Sequence, residues 1–149
     1  MDKKLTVGIV GTGRIGKVHT MSIMNQLPQV EIKAVTDIFL DQAREWAAQS
    51  GIKTVYNDYK ELIADPEIDA VLVCSSTDTH AEIAIAAANA GKHVFCEKPV
   101  DLSVEKVEAV IAAAKKAGVK LQIGFNRRFD HNFRKVKELI DNGTIGDLQ

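Results

Sequence analysis

Six short apolar segments alternate with helical segments along the whole sequence, and this alternation restricts the possible folds more than any other feature. We predict strands at residues 5–10, 31–37, 54–56, 69–76, 93–98 and 120–125. We predict helices at residues 14–26, 40–50, 58–64, 79–91, 104–117 and 131–142. Because strands that alternate with helices form parallel sheets covered on both faces, the pattern predicts an α/β fold, a doubly wound parallel sheet of about six strands.

Capping residues mark several of the predicted helix ends. Asp58 and Ser103 precede helical segments and are typical N-cap residues, and we also assign Thr79 as an N-cap. Gly51 and Gly118 follow the last periodic residues of two helices, which is the usual position of a C-terminal glycine. These signals divide the chain without a linker or a low-complexity segment.

The first predicted strand leads into VGIVGTGRIG, in which Gly11, Gly13 and Gly16 have the spacing G-x-G-x-x-G. Because this segment follows a buried strand and opens a helix, it predicts a dinucleotide-binding loop. The glycines of such a loop permit a tight turn, the approach of a pyrophosphate and close helix–strand packing. The helix start, at Arg14 and Ile15, would then face the phosphates. The alternative is a glycine-rich turn without a ligand.

Asp37 ends the second predicted strand, 37 − 16 = 21 residues after Gly16. A carboxylate at this place accepts hydrogen bonds from the adenosine ribose and repels a 2′-phosphate. Ile38 and Phe39 follow it, so no neighbouring arginine would neutralise such a phosphate. The sequence therefore predicts NAD rather than NADP as the cofactor. The alternative is an aspartate that caps a helix or a turn.

Polar residues follow the other strands, and ligands of open parallel sheets bind at the carboxyl ends of the strands. We predict that His80 contacts the cofactor, and the alternative is a half-exposed histidine at a helix start. We expect one of two adjacent arginines to face the site. A lysine enclosed by protein and cofactor can act as an acid or a base. We call the edge of the sheet formed by these strand ends the rim. The residues that we predict for it are Ser75, Ser76, Thr77, His80, Glu97, Lys98, Asn126, Arg127 and Arg128.

The composition excludes several other classes of protein. The 149 residues carry a formal net charge of −1, which gives no indication of a nucleic-acid or membrane-surface partner. No apolar run approaches the roughly 18 residues of a membrane-spanning helix, and the N-terminus is too short for a signal peptide. Cys74 and Cys96 lie in apolar runs without metal-ligand spacing. We therefore expect buried reduced thiols, no metal site and a cytoplasmic protein.

These segments together resemble the glucose–fructose oxidoreductase/inositol dehydrogenase/MocA (Gfo/Idh/MocA) family over essentially the whole chain. The resemblance lies in VGIVGTGRIG, the strand ending in Asp37, CSSTDTHAEIAIAAANAGKHVFCEKPV and IGFNRRFD. Glu97-Lys98-Pro99 is its most distinctive mark, and GFNRRFD is most similar to the inositol 2-dehydrogenase branch.

The resemblance implies a Rossmann fold, NAD as cofactor, and hydride transfer from a secondary alcohol of a cyclitol or sugar, with myo-inositol favoured. It implies that Lys98 lies near the nicotinamide and the substrate, orients the substrate hydroxyl and takes part in proton transfer. It also implies a cis peptide bond before Pro99.

The family has a second domain with an Asp and a His four residues apart, most of the substrate pocket and the oligomer interface. No histidine here follows an Asp at that distance, where Ile15, Ser76, Asn89 and Arg127 stand instead. We expect residues 1–149 to be a dinucleotide-binding domain without that second domain, able to bind NAD, with an incomplete catalytic set and a tendency to self-associate. The alternatives are a stand-alone dinucleotide-binding module or sensor, and an NADP-dependent sugar dehydrogenase of the same family.

Overall fold

The computed structural model describes residues 3–147, which contain a six-stranded sheet in which all paired strands run parallel. The strands are β1 (Leu5–Val10), β2 (Val30–Thr36), β3 (Thr54–Val55), β4 (Ala70–Val73), β5 (His93–Cys96) and β6 (Leu121–Ile123). The helices are α1 (Arg14–Gln26), α2 (Leu40–Ser50), α3 (Tyr59–Ala64), α4 (Thr77–Asn89), α5 (Val104–Ala117) and α6 (His131–Asp141). None of these helices combines the length and the apolar character that a membrane crossing requires.

The order of the strands, β3-β2-β1-β4-β5-β6, places the first strand in the interior of the sheet. The chain extends the sheet in one direction through β2 and β3, and then returns to the other side of β1 to add β4, β5 and β6. The direction reverses between β1 and β4, and the crevice at such a reversal is where doubly wound folds bind ligands. The predicted fold class is therefore confirmed.

The central strand β4 is buried on both faces of the sheet, which explains why it is continuously apolar. Along β4, Val71 and Val73 pack into one hydrophobic cluster, whereas Ala70 and Leu72 pack into the other. All four residues are buried. Successive side chains of a strand point to opposite faces, so a strand with helices on both sides needs apolar residues at every position.

The chain leaves the fourth strand earlier than the sequence pattern predicts. This strand ends at Val73 rather than at residue 76, and α4 begins at Thr77. Thr79 is not the N-cap, because Ser76 already has the extended backbone that this position requires (φ −71°, ψ 146°). The Thr79 hydroxyl instead donates to the carbonyl oxygen of Ser76 at 2.8 Å. The helix thus begins two residues earlier in the chain than predicted.

Two of the other predicted N-caps are confirmed. The Asp58 carboxylate accepts a hydrogen bond from the Lys60 amide, and the Ser103 hydroxyl accepts one from the Lys106 amide. A short 3₁₀ helix, Asn126–Phe129, which the sequence pattern does not reveal, joins β6 to α6. It turns the chain at the carboxyl edge of the sheet and so places its polar side chains at the rim.

Candidate active site at the carboxyl edge of the sheet

The glycine loop between β1 and α1 has the steric constraints that its sequence motif predicts. Gly11 has φ +97°, and a Cβ atom there would lie 2.5 Å from the carbonyl oxygen of Cys74. A Cβ atom on Gly16 would overlap the carbonyl oxygen of Gly11. Only glycine therefore fits at these two positions, because Gly11 lies against the segment that follows β4 and Gly16 lies against Gly11.

The middle of the same loop is open. No atom lies within 4 Å of the position that a Cβ atom would take on Gly13. Gly13 is the N-cap of α1 and provides no side-chain hydrogen bond to the helix, and Arg14 and Ile15 next to it are exposed. Free amides at a helix start attract anions, so this space fits a pyrophosphate.

Asp37 lies just beyond β2 and is tied to the glycine loop. One carboxylate oxygen, Oδ2, accepts hydrogen bonds from the Thr12 amide at 2.5 Å and from the Thr12 hydroxyl at 3.0 Å. The other oxygen, Oδ1, accepts one from the Phe39 amide at 3.0 Å. Because a carboxylate offers about four acceptor positions, Asp37 retains capacity for a ribose hydroxyl. Its bond to Phe39 also agrees with the turn aspartate that we considered as an alternative.

The exit of β4 places Ser75, Ser76 and Thr77 between the glycine loop and the exit of β5. The Ser75 hydroxyl shares a hydrogen bond of 2.7 Å with the Thr79 hydroxyl. Ser76 is exposed at the start of α4, and its side chain makes no capping hydrogen bond there. This second helix start therefore opens onto the same rim as α1.

His80 is buried, with 2% of its surface exposed, and is not the half-exposed histidine that we considered as an alternative. Its Nδ1 atom lies 2.8 Å from the carbonyl oxygen of Pro99, and its Nε2 atom lies 3.0 Å from the carbonyl oxygen of Ser75. Both ring nitrogens are thus engaged by the backbone. Both partners are acceptors, so a direct contact of His80 with a cofactor would require one ring nitrogen to leave its carbonyl oxygen.

The segment after β5 combines a buried carboxylate with an exposed lysine. Glu97 is 8% exposed, and its two carboxylate oxygens contact His19 Nε2 at 2.7 Å and the Lys98 amide at 3.0 Å. Lys98 is exposed, and its side chain forms no hydrogen bond or ion pair with any other residue in the described range 3–147. The peptide bond between Lys98 and Pro99 is cis, as the family resemblance implies.

The residues after β6 come together with Lys98. A surface depression of about 440 Å³ is lined by Lys98, Phe125, Asn126, Arg127 and Arg128. Both arginines line it, and not only one as predicted from the sequence. The guanidinium of Arg127 lies 4.6 Å from the centre of the Phe133 ring. Among residues 3–147, three cationic side chains and no carboxylate therefore line this depression.

Strand order arranges these groups in one row. From β2 to β6 the exits carry Asp37, Gly11, Ser75, Lys98 and Asn126 in turn. Neighbouring strands lie about 4.8 Å apart, so the row spans roughly 19 Å. His19 is the site residue that sequence reasoning missed. It lies on α1 three positions after Gly16, directly before the buried Thr20, and this placement on the inner side of the helix is the signal that identifies it.

The two cysteines take no part in the row of polar groups. Both are buried and free, as predicted. Burial, together with the nearby Glu97 carboxylate, raises the pKa of Cys74 and that of Cys96 to about 12. Both therefore remain neutral thiols that fill the core at neutral pH.

Known proteins are similar to this chain in sequence. The myo-inositol 2-dehydrogenase of Thermotoga maritima is 49% identical over 95% of this chain and 42% of its own length. The inositol 2-dehydrogenase of Rhizobium meliloti is 42% identical over 95% of this chain and 42% of its own length. The chain thus spans less than half the length of these relatives.

Solved structures agree with the sequence relatives. The scyllo-inositol dehydrogenase of Lactobacillus casei, solved with bound NAD(H) and scyllo-inositol, superimposes with a TM-score of 0.91 at 36% identity, over 97% of this chain and 43% of that one. Residues 5–125 match the Gfo/Idh/MocA model, described as an oxidoreductase family with an NAD-binding Rossmann fold. The chain therefore belongs to the Gfo/Idh/MocA oxidoreductase family.

Proposed function

We propose that this chain binds NAD along the rim from Asp37 to Lys98, as the cofactor-binding part of a dehydrogenase. The observation that carries the proposal is the row of strand exits, which begins at a carboxylate next to the glycine loop and ends at an exposed lysine. An extended dinucleotide with a ribose at one end and a reactive ring at the other matches such a row.

At the adenosine end, Asp37 would accept a hydrogen bond from the ribose, for which its carboxylate has capacity. The pyrophosphate would occupy the open space at Gly13, next to the amides of Arg14, Ile15 and Gly16. The two residues that follow Asp37, Ile38 and Phe39, offer no positive charge for a 2′-phosphate. These groups favour NAD over NADP.

Towards the nicotinamide end, the Ser75–Thr77 segment at the start of α4 would contact the second ribose. His80 would act from behind this segment, since it binds the carbonyl of Ser75. Asn126 and Arg127 would line the side of the site next to Lys98. Glu97 would act from the buried side, through the Lys98 amide.

The proposed reaction is the oxidation of a secondary alcohol on a cyclitol or sugar, with myo-inositol favoured. The relatives named as inositol 2-dehydrogenases and the neighbour solved with scyllo-inositol support this substrate class. NAD, when bound, supplies the hydride acceptor. Lys98 would orient the substrate hydroxyl and take part in moving its proton, because its ammonium is exposed at the rim and bound to no other group in residues 3–147.

The test of cofactor choice is a calorimetric titration of the chain with NAD and with NADP. We expect NAD to bind at least about tenfold more tightly, since the Asp37 carboxylate would lie close to a 2′-phosphate and repel it. Equal affinities, or tighter binding of NADP, would contradict the assignment of Asp37. Absence of binding by either nucleotide would contradict the proposed function itself.

We also propose that the chain self-associates through the apolar side chains around α6. Phe129, Phe133 and Val136 are each about half exposed there (60%, 46% and 52%). Clustered apolar surface favours association. Sedimentation at several concentrations tests this, and a monomer at every concentration would contradict it.

A further inference from the structure

We propose that His19 is a positioning residue for Lys98, and that it acts through the Glu97 carboxylate. This inference rests on the proposed function, in which Lys98 lies at the nicotinamide end of the site. It assigns a task to the part-buried hydrogen-bond contact between His19 on α1 and Glu97 at the end of β5. Its starting point is that the two oxygens of one carboxylate have two different partners.

The Glu97 carboxylate bridges a helix and the peptide group of Lys98. Its Oε1 atom lies 2.7 Å from His19 Nε2, and its Oε2 atom accepts a hydrogen bond of 3.0 Å from the Lys98 amide. The carboxylate is therefore fixed at both ends. A displacement of the His19 ring would move the oxygen pair and, with it, the backbone from which the Lys98 side chain extends. Hydrogen bonds to a carboxylate are stronger than hydrogen bonds between two neutral groups.

The Glu97 carboxylate packs closely against Gly124, which restricts its position. Glu97 Oε1 lies 3.0 Å from the place that a Cβ atom would take on Gly124, and Glu97 Cδ lies 3.1 Å from it. Gly124 thus lets the carboxylate lie against the backbone at the end of β6. The His19 ring is held in turn by the edge of Phe95, with 5.1 Å between the ring centres and 69° between the ring planes. Both members of the pair are confined by their neighbours.

The other side of Lys98 is held as well. The carbonyl oxygen of Pro99 contacts His80 Nδ1 at 2.8 Å, and His80 is buried. The backbone around Lys98 is therefore bound by side chains on both sides, from α1 through Glu97 and from α4 through His80. The lysine side chain itself is exposed. A rigid backbone under a free ammonium is the arrangement that a positioned catalytic group needs.

Loss of a contact that only stabilises the fold would affect ligand affinities differently from loss of a contact that positions Lys98. Loss of fold stability would weaken every ligand of the rim equally. Loss of positioning would weaken ligands that reach Lys98 and spare ligands that end before it. NADH and ADP-ribose provide this pair of probes, because ADP-ribose has the adenosine and the pyrophosphate but lacks the nicotinamide.

The experiment is a titration of the chain and its variants with NADH and with ADP-ribose. We expect His19→Gln to weaken NADH by about fivefold to tenfold while ADP-ribose changes less than about twofold. Glu97→Gln should give the same selective loss, and the double variant should lose no more than either single one, because the two residues act as one unit. His93→Gln is the matched control. His93 lies at the opposite end of β5, where it accepts a hydrogen bond from the Lys120 amide, and this variant should change neither affinity.

A ligand-free measurement accompanies the titration. Hydrogen exchange of the Lys98 amide should be at least about tenfold faster in His19→Gln than in the parent chain, whereas amides in β1 should keep their rates. Equal weakening of NADH and ADP-ribose, additive losses in the double variant, or an unchanged Lys98 exchange rate would each overturn the inference. A parent chain that binds neither ligand would instead overturn the proposed function. These two failures are therefore distinguishable.

Discussion

The two ends of the rim are constructed in opposite ways. At the Asp37 end, the side chain that would bind the ribose is already engaged by the neighbouring loop, through the amide and the hydroxyl of Thr12. At the Lys98 end, the side chain that would meet the substrate is unbound within residues 3–147, and the buried groups behind it hold only its backbone. The first end depends on backbone shape, and the second depends on long-range polar contacts.

Because of this difference, we expect substitutions at the two ends to affect different properties, namely folding at the glycine loop and ligand binding at Lys98. The glycine loop has no space for any added atom at Gly11 and Gly16, so substitutions there act first on folding. The Lys98 end has exposed side chains, so substitutions of the cations act on ligands while the fold is kept. Variants that break this separation would show that the two ends are not distinct.

The largest effect is expected for Gly11→Ala. Alanine at φ +97° is strained, and its Cβ atom would lie 2.5 Å from the carbonyl oxygen of Cys74 and 2.6 Å from the Ser75 amide nitrogen. We expect the free energy of unfolding, measured by urea denaturation, to fall by about 4 kcal/mol.

The matched control is Gly13→Ala in the same loop. Its Cβ atom would meet nothing within 4 Å, and the backbone of Gly13 (φ −65°, ψ −171°) suits any residue. Stability should change by less than about 1 kcal/mol, whereas NAD affinity should fall, because the methyl group would occupy the space of the pyrophosphate. Unchanged NAD affinity would show that the phosphates do not approach this glycine.

The fold and the Asp37 end follow from local signals in the sequence. Apolar runs define the strands, and the N-cap residues Asp58 and Ser103 mark the starts of α3 and α5. The glycine spacing identifies the turn between β1 and α1. Each of these signals lies within a few residues of the structure that it produces. The short 3₁₀ helix at Asn126–Phe129 has no comparable signal in the sequence. Single turns of this kind depend on the positions of the two elements that they connect, here β6 and α6.

The support of Lys98 does not follow from local signals. His19 and Glu97 are 78 residues apart in sequence, and they meet because the His19 side chain reaches from α1 to Phe95 and Glu97 at the end of β5. His80 was assigned as a residue that contacts the cofactor, yet the structure engages both of its nitrogens with carbonyls of two separate loops. Contacts of this kind depend on strand order, which the sequence pattern indicates only in outline.

His80→Ala is expected to give the second largest effect. Removal of the ring leaves the carbonyl oxygens of Ser75 and Pro99 without their partner in a buried place. We expect the free energy of unfolding to fall by about 3 kcal/mol, measured by urea denaturation. Stability equal to that of the parent chain would show that water replaces the ring, and that the Lys98 end is less firmly held than we describe.

Asp37→Asn is expected to have an intermediate effect at the opposite end. The amide group has one acceptor oxygen for the three hydrogen bonds that the carboxylate accepts from Thr12 and Phe39. We expect a loss of about 2 kcal/mol in stability and a lower ratio of NADP to NAD dissociation constants, because the repulsion of a 2′-phosphate disappears. Asp41→Asn is the control, since the Asp41 side chain is fully exposed (100%), and it should change neither quantity.

Lys98→Met is expected to have the smallest effect on stability and a selective effect on binding. The lysine is exposed and shares its depression with Arg127 and Arg128, so its removal breaks no bond and relieves repulsion between like charges. We expect the free energy of unfolding to stay within about 0.5 kcal/mol of the parent value, as for the exposed Lys4→Met control. NADH affinity should change more than ADP-ribose affinity in Lys98→Met, whereas neither affinity should change in Lys4→Met. A large loss of stability would mean that Lys98 supports the fold, and the contrast between the two ends of the rim would then fail.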